Sequence, residues 1–130
     1  ASLLRAPHTY VGSDGLPAGI PHPRLYGAFP KILGEYVREQ GILTLEEAIA
    51  KMAGGAKLLG LSDRGLLKPG YVADLVLFDP AVIGHKEAYG VMGEAPTGIA
   101  GVWLGGRLAY DGKNILGDLG IVLRRREDAS

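Results

Sequence analysis

The sequence YVADLVLFDP, residues 71–80, is rich in β-forming apolar residues and lies between two turn signals. The turn Lys68-Pro69-Gly70 precedes it and Asp79-Pro80 closes it, so the run predicts a β-strand. Residues 84–101 follow with glycines at irregular intervals, and this pattern predicts irregular backbone.

A hairpin signal comes next, because Gly105-Gly106 separates the apolar run 102–104 from residues 107–110. Two glycines supply the positive φ angles of a two-residue primed turn, so the pattern predicts a β-hairpin. Asp111-Gly112 predicts a further turn. The second half of the chain is therefore expected to consist mostly of short strands.

Helical patterns occupy much of the first half of the chain. An apolar stripe predicts a helix over about residues 31–40, and Pro30 just before it suits the first position of a helix. The proline- and glycine-rich segment 15–30 is predicted to hold no regular element. Thr44 followed by Glu47 is a capping box, which predicts the start of a second helix. A boundary near residues 61–64 separates this half from the strand-rich half.

Residues 8–13, HTYVGS, alternate in a way that predicts a short strand ending at Asp14. An Asp-Gly pair is most often a turn or a cap. A carboxylate at the tip of a strand can also move a proton during metal-assisted hydrolysis. Arg24 has the planar fork that grips a substrate carboxylate, or it forms a surface salt bridge. His22, between two prolines, suits either a loop anchor or a substrate contact.

The composition excludes several classes of function. Fourteen basic and fourteen acidic side chains give a net charge of zero, so no global field attracts nucleic acid or an anionic membrane. The chain has no cysteine, and its longest apolar runs are far too short to span a bilayer. The first twenty residues lack the apolar stretch of a signal peptide, so we expect a cytoplasmic protein.

Metal and nucleophile motifs are sparse. The three histidines, His8, His22 and His85, show neither H-x-H nor H-E-x-x-H spacing, whereas a catalytic zinc site needs about three protein ligands. His85 lies in a glycine-flanked segment and is expected at the surface. The chain also has no G-x-S-x-G, G-x-G-x-x-G or P-loop pattern. The chain alone therefore encodes no recognisable metal centre.

Longer stretches resemble a known family. GSDGLP at residues 12–17, followed by HPRLYGAFPKILGEYVREQGILTLEEAIAKM at residues 22–52, resembles the C-terminal part of the D-aminoacylases. These enzymes are the N-acyl-D-amino-acid deacylases of the amidohydrolase superfamily. DRGLLKPGYVADLVLFDP at residues 63–80 is similar to the strand pattern of the small β-domain attached to their barrels, and GIAGVWLGGRLAYDGK at residues 98–113 continues the match.

The resemblance implies an α+β fold class. Residues 1–62 would supply the last strand, a loop and helices of a (β/α) barrel, and residues 63–130 would supply most of a small β-sandwich domain. The implied activity is zinc-dependent cleavage of the amide bond of N-acyl-D-amino acids. Asp14 matches the catalytic aspartate that deprotonates the attacking water, Arg24 matches the arginine that binds the substrate carboxylate, and His22 matches the histidine beside it.

The chain also departs from this family. A complete barrel takes about 250 residues, and a chain of 130 residues that also carries a β-domain cannot build one. The family's histidine-rich metal motif has no counterpart, so Asp14 could contact a metal only with ligands from an N-terminal portion outside this chain. We therefore expect the chain alone to bind no zinc and to be inactive. We also expect a second copy, a complementary N-terminal portion or repacking of the chain itself to cover its open apolar face.

Two other functions stay open. A non-catalytic binding or assembly module descended from an amidohydrolase would carry the same sequence features. A hydrolase of the same superfamily acting on cyclic amides is disfavoured by Arg24, because such substrates need not present a free carboxylate.

Overall fold

The computed structural model describes residues 2–16, 22–85 and 95–123. Within these ranges, four α-helices and one π-helix precede a three-stranded sheet. The helices are α1 Ser2–Arg5, α2 Arg24–Lys31, the π-helix Ile32–Glu39, α3 Leu45–Ala53 and α4 Gly55–Leu58, and the strands are β1 Leu75–Phe78, β2 Ile99–Leu104 and β3 Arg107–Tyr110. Across the same ranges, no helix has the length and apolar character needed to cross a membrane.

The sheet has the order β1-β2-β3, and its neighbouring strands are antiparallel. Gly105 and Gly106 have φ angles of 56° and 79°, which confirms the primed turn predicted between the last two strands. The strand expected within residues 71–80 is also confirmed, although it is shorter than that run.

One prediction about the sheet is wrong. β2 begins at Ile99, inside the segment 84–101 that was expected to be irregular. The reason is tertiary, because Phe78 and Leu77 of β1 pair with Ile99 and Gly101. Hydrogen bonding to a neighbouring strand thus outweighs the weak strand preference of glycine. Residues 86–94 of the same segment lie outside the described residues.

The long helical segment begins earlier than the sequence predicts. α2 starts at Arg24, inside the segment 15–30 that was expected to hold no regular element, and runs without a break into the π-helix. Pro30 is therefore inside the helix, where it has no N–H for the usual i→i−4 hydrogen bond. Beyond it the bonding changes register, and the Gln40 N–H donates to the Glu35 carbonyl in an i→i−5 bond of 2.9 Å.

The capping box of α3 is confirmed. The Glu47 N–H donates to the Thr44 hydroxyl oxygen (3.1 Å), and the Thr44 N–H donates to the Glu47 carboxylate (2.8 Å). These two bonds satisfy backbone donors that a helix start leaves unpaired. Leu43 precedes the cap and, with Ala48 one turn into the helix, lies in the core.

The core draws on both halves of the chain. Its buried residues are Ile32, Leu33, Leu43, Ala48 and Ile83. The first four come from the helical half, whereas Ile83 follows β1 and is only 2% exposed. The division into residues 1–62 and 63–130 stays a prediction, but burial of Ile83 joins the two parts at one apolar cluster.

Residues 8–13 form no strand, although the sequence predicts one. Their backbone is irregular, and Val11 N–H donates to the Lys51 carbonyl of α3 (3.1 Å) rather than to a neighbouring strand. A single strand needs a ladder partner for its backbone groups. Asp14 is therefore placed in a loop and not at a strand tip in this structure.

Replacing Thr44 tests the capping box. We expect Thr44→Ala to lower the free energy of unfolding by about 1 kcal/mol, because the Glu47 N–H loses its acceptor. Urea denaturation followed by circular dichroism measures the change. Thr44→Ser keeps the hydroxyl and is the matched control, and equal destabilisation by both variants would contradict a capping role.

Asp111 makes stability depend on pH. The backbone N–H groups of Asn114 (2.7 Å) and Lys113 (2.9 Å) donate to its carboxylate and lower its pKa below the ordinary value. A lowered folded-state pKa stabilises the fold above the unfolded-state pKa of about 3.9, and that stabilisation is lost as pH falls through the folded-state pKa.

We therefore expect Asp111→Ala to lower the urea midpoint at pH 7, and we expect the gap from wild type to close as pH falls below 4. Asp118→Ala, at another exposed aspartate, is the control and should leave the midpoint near wild type. A gap for Asp111→Ala that is equal at both pH values would count against these hydrogen bonds.

Candidate functional site

The structure brings together the three residues that the sequence singles out. Arg24 Nη2 lies 3.3 Å from Asp14 Oδ2. His22 Nδ1 accepts the backbone N–H of Arg24 (3.1 Å). Asp14, His22 and Arg24 therefore form one cluster, which we call the Asp14 cluster. It lies where the loop after residue 13 meets the start of α2.

The start of α2 fixes the position of Arg24. The residue before it is Pro23, whose φ of −50° already suits a helix and whose missing N–H is not needed there. His22 supplies two acceptors to the first turn, since its ring nitrogen binds the Arg24 N–H and its carbonyl binds the Leu25 N–H (3.0 Å). These bonds satisfy orphan donors of the helix start. His22 thus anchors the residue that carries the guanidinium.

The loop backbone at Asp14 is also constrained. Asp14 has a φ of 47°, in the left-handed region that aspartate tolerates better than most side chains. A Cβ on the next residue, Gly15, would lie 2.9 Å from Leu25 Cα, so this close approach to α2 requires glycine. The side chain that accepts a backbone bond in this turn is Ser13, whose hydroxyl receives the Gly15 N–H (3.3 Å). The Asp14 carboxylate is directed to Arg24 instead.

Exposure determines what the Asp14–Arg24 pair can do. The side chains of Arg24 and Asp14 are 43% and 83% exposed. An ion pair this open to water contributes little to stability and is readily replaced by another carboxylate. The Arg24 guanidinium can therefore exchange Asp14 for a ligand carboxylate, which would leave Asp14 free as a base beside the bound molecule.

The residues described do not complete a metal centre. Within residues 2–16, 22–85 and 95–123, no three His, Cys, Asp or Glu side chains come together to hold a metal ion. Asp14 can offer one carboxylate, but the histidines at positions 8 and 85 are not grouped with it. A catalytic zinc ion needs about three protein ligands, so the donors present here do not fit one by themselves.

A large cavity lies elsewhere among the described residues. It has a volume of about 1050 Å³ and is lined by α3 together with residues near Tyr10 and Tyr71. None of Asp14, His22 and Arg24 lines it. The size of this cavity therefore does not identify the functional site. The Asp14 cluster is a candidate site because of the distances between its own residues.

His85 is a residue whose place the sequence predicts wrongly. It was expected at the surface, but it is half-buried: its ring packs against Gly27 of α2, and its Nδ1 is buried with no hydrogen-bond partner among the described residues. The sequence does hold one signal for this contact. A glycine inside a helix is costly and often marks a close approach of another segment.

The family follows from a comparison with known proteins. The profile described as "Amidohydrolase family" matches residues 1–110. The chain belongs to the amidohydrolase family. Its similarity to the D-aminoacylases, predicted from the sequence, is also confirmed.

Three relatives of this amidohydrolase chain illustrate the similarity. N-acyl-D-aspartate deacylase of Alcaligenes xylosoxydans xylosoxydans is 50% identical over 113 residues, which are 85% of this chain and 23% of that protein. A D-aminoacylase structure, studied for the role of its binuclear metal centre, superposes with a TM-score of 0.84 at 41% identity over 90% of this chain and 25% of that one. The third relative is N-acyl-D-glutamate deacylase from Bordetella bronchiseptica, whose structure is complexed with zinc and a phosphonate mimic of the tetrahedral intermediate. It superposes with a TM-score of 0.73 at 44% identity, and the match covers 80% of this chain and 23% of that one. The chain thus spans about a quarter of the length of these relatives.

The exposed Asp14–Arg24 pair makes a stability prediction. We expect Asp14→Asn and Arg24→Gln each to change the free energy of unfolding by less than about 1 kcal/mol, because both side chains keep most of their hydration without the pair. Urea denaturation of the two variants and of the double variant measures this. A loss well above that limit in either single variant would assign the pair a structural role.

Proposed function

We propose that this chain is the C-terminal part of a metal-dependent hydrolase that cleaves the amide bond of N-acyl-D-amino acids. The 3.3 Å approach of Arg24 Nη2 to Asp14 Oδ2 is the observation that carries the proposal. It sets a candidate base beside a candidate carboxylate-binding group. In an N-acyl amino acid only the amide nitrogen and the α-carbon separate the scissile carbonyl from the carboxylate. One substrate can therefore engage both side chains.

Arg24 is the proposed substrate-binding residue. A guanidinium makes two parallel hydrogen bonds to a carboxylate, which fixes both position and orientation. His22 holds the Arg24 backbone through its Nδ1, so its proposed role is to fix the residue that binds substrate. Relatives that act on N-acyl-D-aspartate and N-acyl-D-glutamate support this substrate class.

Asp14 is the proposed catalytic base. Its carboxylate would accept a proton from the water that attacks the acyl carbon. The carbon–nitrogen bond then breaks, and the same proton passes from Asp14 to the leaving amine. The products are a carboxylic acid and a free D-amino acid, and no oxidant or further reactant is needed.

Zinc is the proposed metal of the complete enzyme, because the deacylase relative from Bordetella bronchiseptica was solved with zinc. A bound metal ion supplies a Lewis acid that makes water reactive at neutral pH. Asp14 could provide one ligand, and the others would have to come from outside this chain. We accordingly propose that the chain alone is inactive.

The same proposal assigns the parts of the chain. Residues 1–62 would belong to the end of a (β/α) barrel, and residues 63–130 to a small β-domain.

An assay of amide hydrolysis tests this function. We expect a full-length protein carrying this chain to release free D-amino acids from N-acetyl-D-amino acids, and we expect a chelator to abolish the activity. Asp14→Asn should lower kcat by on the order of 10²–10⁴-fold, because the proton acceptor is lost. Arg24→Lys should raise KM by roughly tenfold, because one of two parallel hydrogen bonds is lost.

Two exposed positions provide matched controls. Asp118→Asn and Arg107→Lys make the same chemical changes away from the Asp14 cluster and should leave kcat and KM unchanged. Hydrolysis by the 130-residue chain on its own would contradict the proposed dependence on outside ligands. Full activity of the Asp14→Asn enzyme would overturn the role of Asp14.

A non-catalytic binding or assembly module is the second candidate. The observation that favours it is a set of exposed apolar side chains at the end of α4 and shortly after it in the chain, namely Leu58, Leu59, Leu66 and Leu67, which are 65–88% exposed. Such a group is typical of a surface that another chain or another part of the same protein covers. This candidate predicts self-association or capture of a complementary N-terminal portion in sedimentation experiments, with no hydrolysis by the resulting assembly.

A further inference from the structure

The contact between Gly27 and His85 joins two distant parts of the chain at the helix that carries Arg24. Gly27 is buried in α2. A Cβ placed on it would lie 2.7 Å from His85 Cγ and 2.9 Å from His85 Nε2. These distances are shorter than real Cβ contacts, so no larger residue fits while the ring is in place. The helix carries a glycine here because the imidazole occupies the space of a side chain.

This contact lies on the face of the helix that bears Arg24. Residues three apart in a helix are neighbours on one side, so Gly27 is one turn beyond Arg24 on the same face. On the loop side, Gly15 approaches Leu25 so closely that a Cβ would lie 2.9 Å from Leu25 Cα. The first turn of α2 is thus held by the Asp14–Gly15 loop and, immediately afterwards, by His85.

The segment that carries His85 is itself firmly attached to the same helical stretch. A Cβ on Gly34 would lie 2.8 Å from the Ile83 carbonyl oxygen. Arg38 Nη1 donates to that oxygen (2.5 Å) and to the Pro80 carbonyl (3.4 Å). The segment therefore meets the helix at Gly27 and again two turns later at Gly34, which leaves His85 little freedom to move away.

The chemistry of His85 fits a steric role. Its Nδ1 is buried and has no hydrogen-bond partner within residues 2–16, 22–85 and 95–123, which is unfavourable for a polar atom. A hydrogen bond at Nδ1 therefore does not hold the His85 ring against α2. The ring is held by its fit into the space that Gly27 leaves open. We propose that His85 is a positioning residue for Arg24, setting the helix start from which the guanidinium reaches the substrate carboxylate.

This inference rests on the proposed function, since it assigns carboxylate binding to Arg24. It extends that function to a residue from the strand-rich half of the chain. Substrate recognition would then depend on the docking of residues 83–85 against the helix, although these residues need not touch the substrate.

The test is the KM of the full-length enzyme for N-acetyl-D-amino acids. Gly27→Ala should raise KM on the order of tenfold with a smaller change in kcat, because the added methyl group displaces the ring and shifts the helix start. The control substrate is the corresponding N-acetyl-D-amino acid amide, in which a carboxamide replaces the carboxylate. Its KM should not change. A general loss of structure would affect both substrates alike.

A double variant tests whether the contact is direct. His85→Ala alone should raise KM severalfold by removing the contact, and it remains informative if Gly27→Ala does not fold. Gly27→Ala with His85→Ala should behave like His85→Ala, because the new methyl group enters vacated space. Additive effects would contradict a direct contact. Gly55→Ala is the matched control, since a Cβ on this helical glycine meets nothing within 4 Å.

The outcomes separate the two proposals. A wild-type enzyme that hydrolyses the substrate, with Gly27→Ala and His85→Ala variants of unchanged KM, would overturn the positioning role and leave the proposed function standing. A full-length enzyme that releases no D-amino acid would overturn the proposed function and this inference with it.

Discussion

Close packing of the helical segment 24–39 against the chain around Ile83 is the constraint on which the rest of the described structure depends. Gly34 lets the Ile83 carbonyl approach the helix, and Arg38 donates a hydrogen bond to the same oxygen. Burial of Ile83 beside Ile32 and Leu33 then provides the apolar contact. Glycine supplies the space, arginine satisfies the polar backbone and isoleucine removes apolar surface from water, so the three effects reinforce one another.

The Asp14 cluster is built on one end of this helical segment. His22 and Pro23 fix the first turn, and Gly15 allows the loop to approach Leu25. The charged groups themselves remain open to solvent, so little stability is gained from pairing them. An exposed carboxylate and guanidinium held by closely packed backbone are suited to exchange partners with a ligand. Rigidity comes from the backbone, while the side chains stay available.

Proline has a different effect in this chain from the one that its helix-breaking property suggests. Pro30 removes one hydrogen bond, but the helix continues because the following residues bond five positions back. The result is one helical stretch instead of a loop followed by a helix. Arg24 therefore lies on the same continuous helical stretch as the core residues Ile32 and Leu33.

The sequence by itself determined the features that depend on neighbouring residues. The capping box at Thr44 and the primed turn at Gly105-Gly106 could be predicted, because their hydrogen bonds and φ angles are set within a few residues. The strand before Asp79 could be predicted because its β-forming residues lie between two turn signals. The resemblance to the amidohydrolases also singled out Asp14, His22 and Arg24, which lie together in the structure. The sequence could not show how far apart they are.

Only the tertiary structure decided the features that depend on distant partners. β2 extends to Ile99 because β1 offers a ladder, and residues 8–13 form no strand because none of the described segments offers one. His85 lies against Gly27 because the chain after β1 returns to the helix. Hydrogen-bond partners and packing contacts decide where these segments lie, and here those partners are many residues away in the chain.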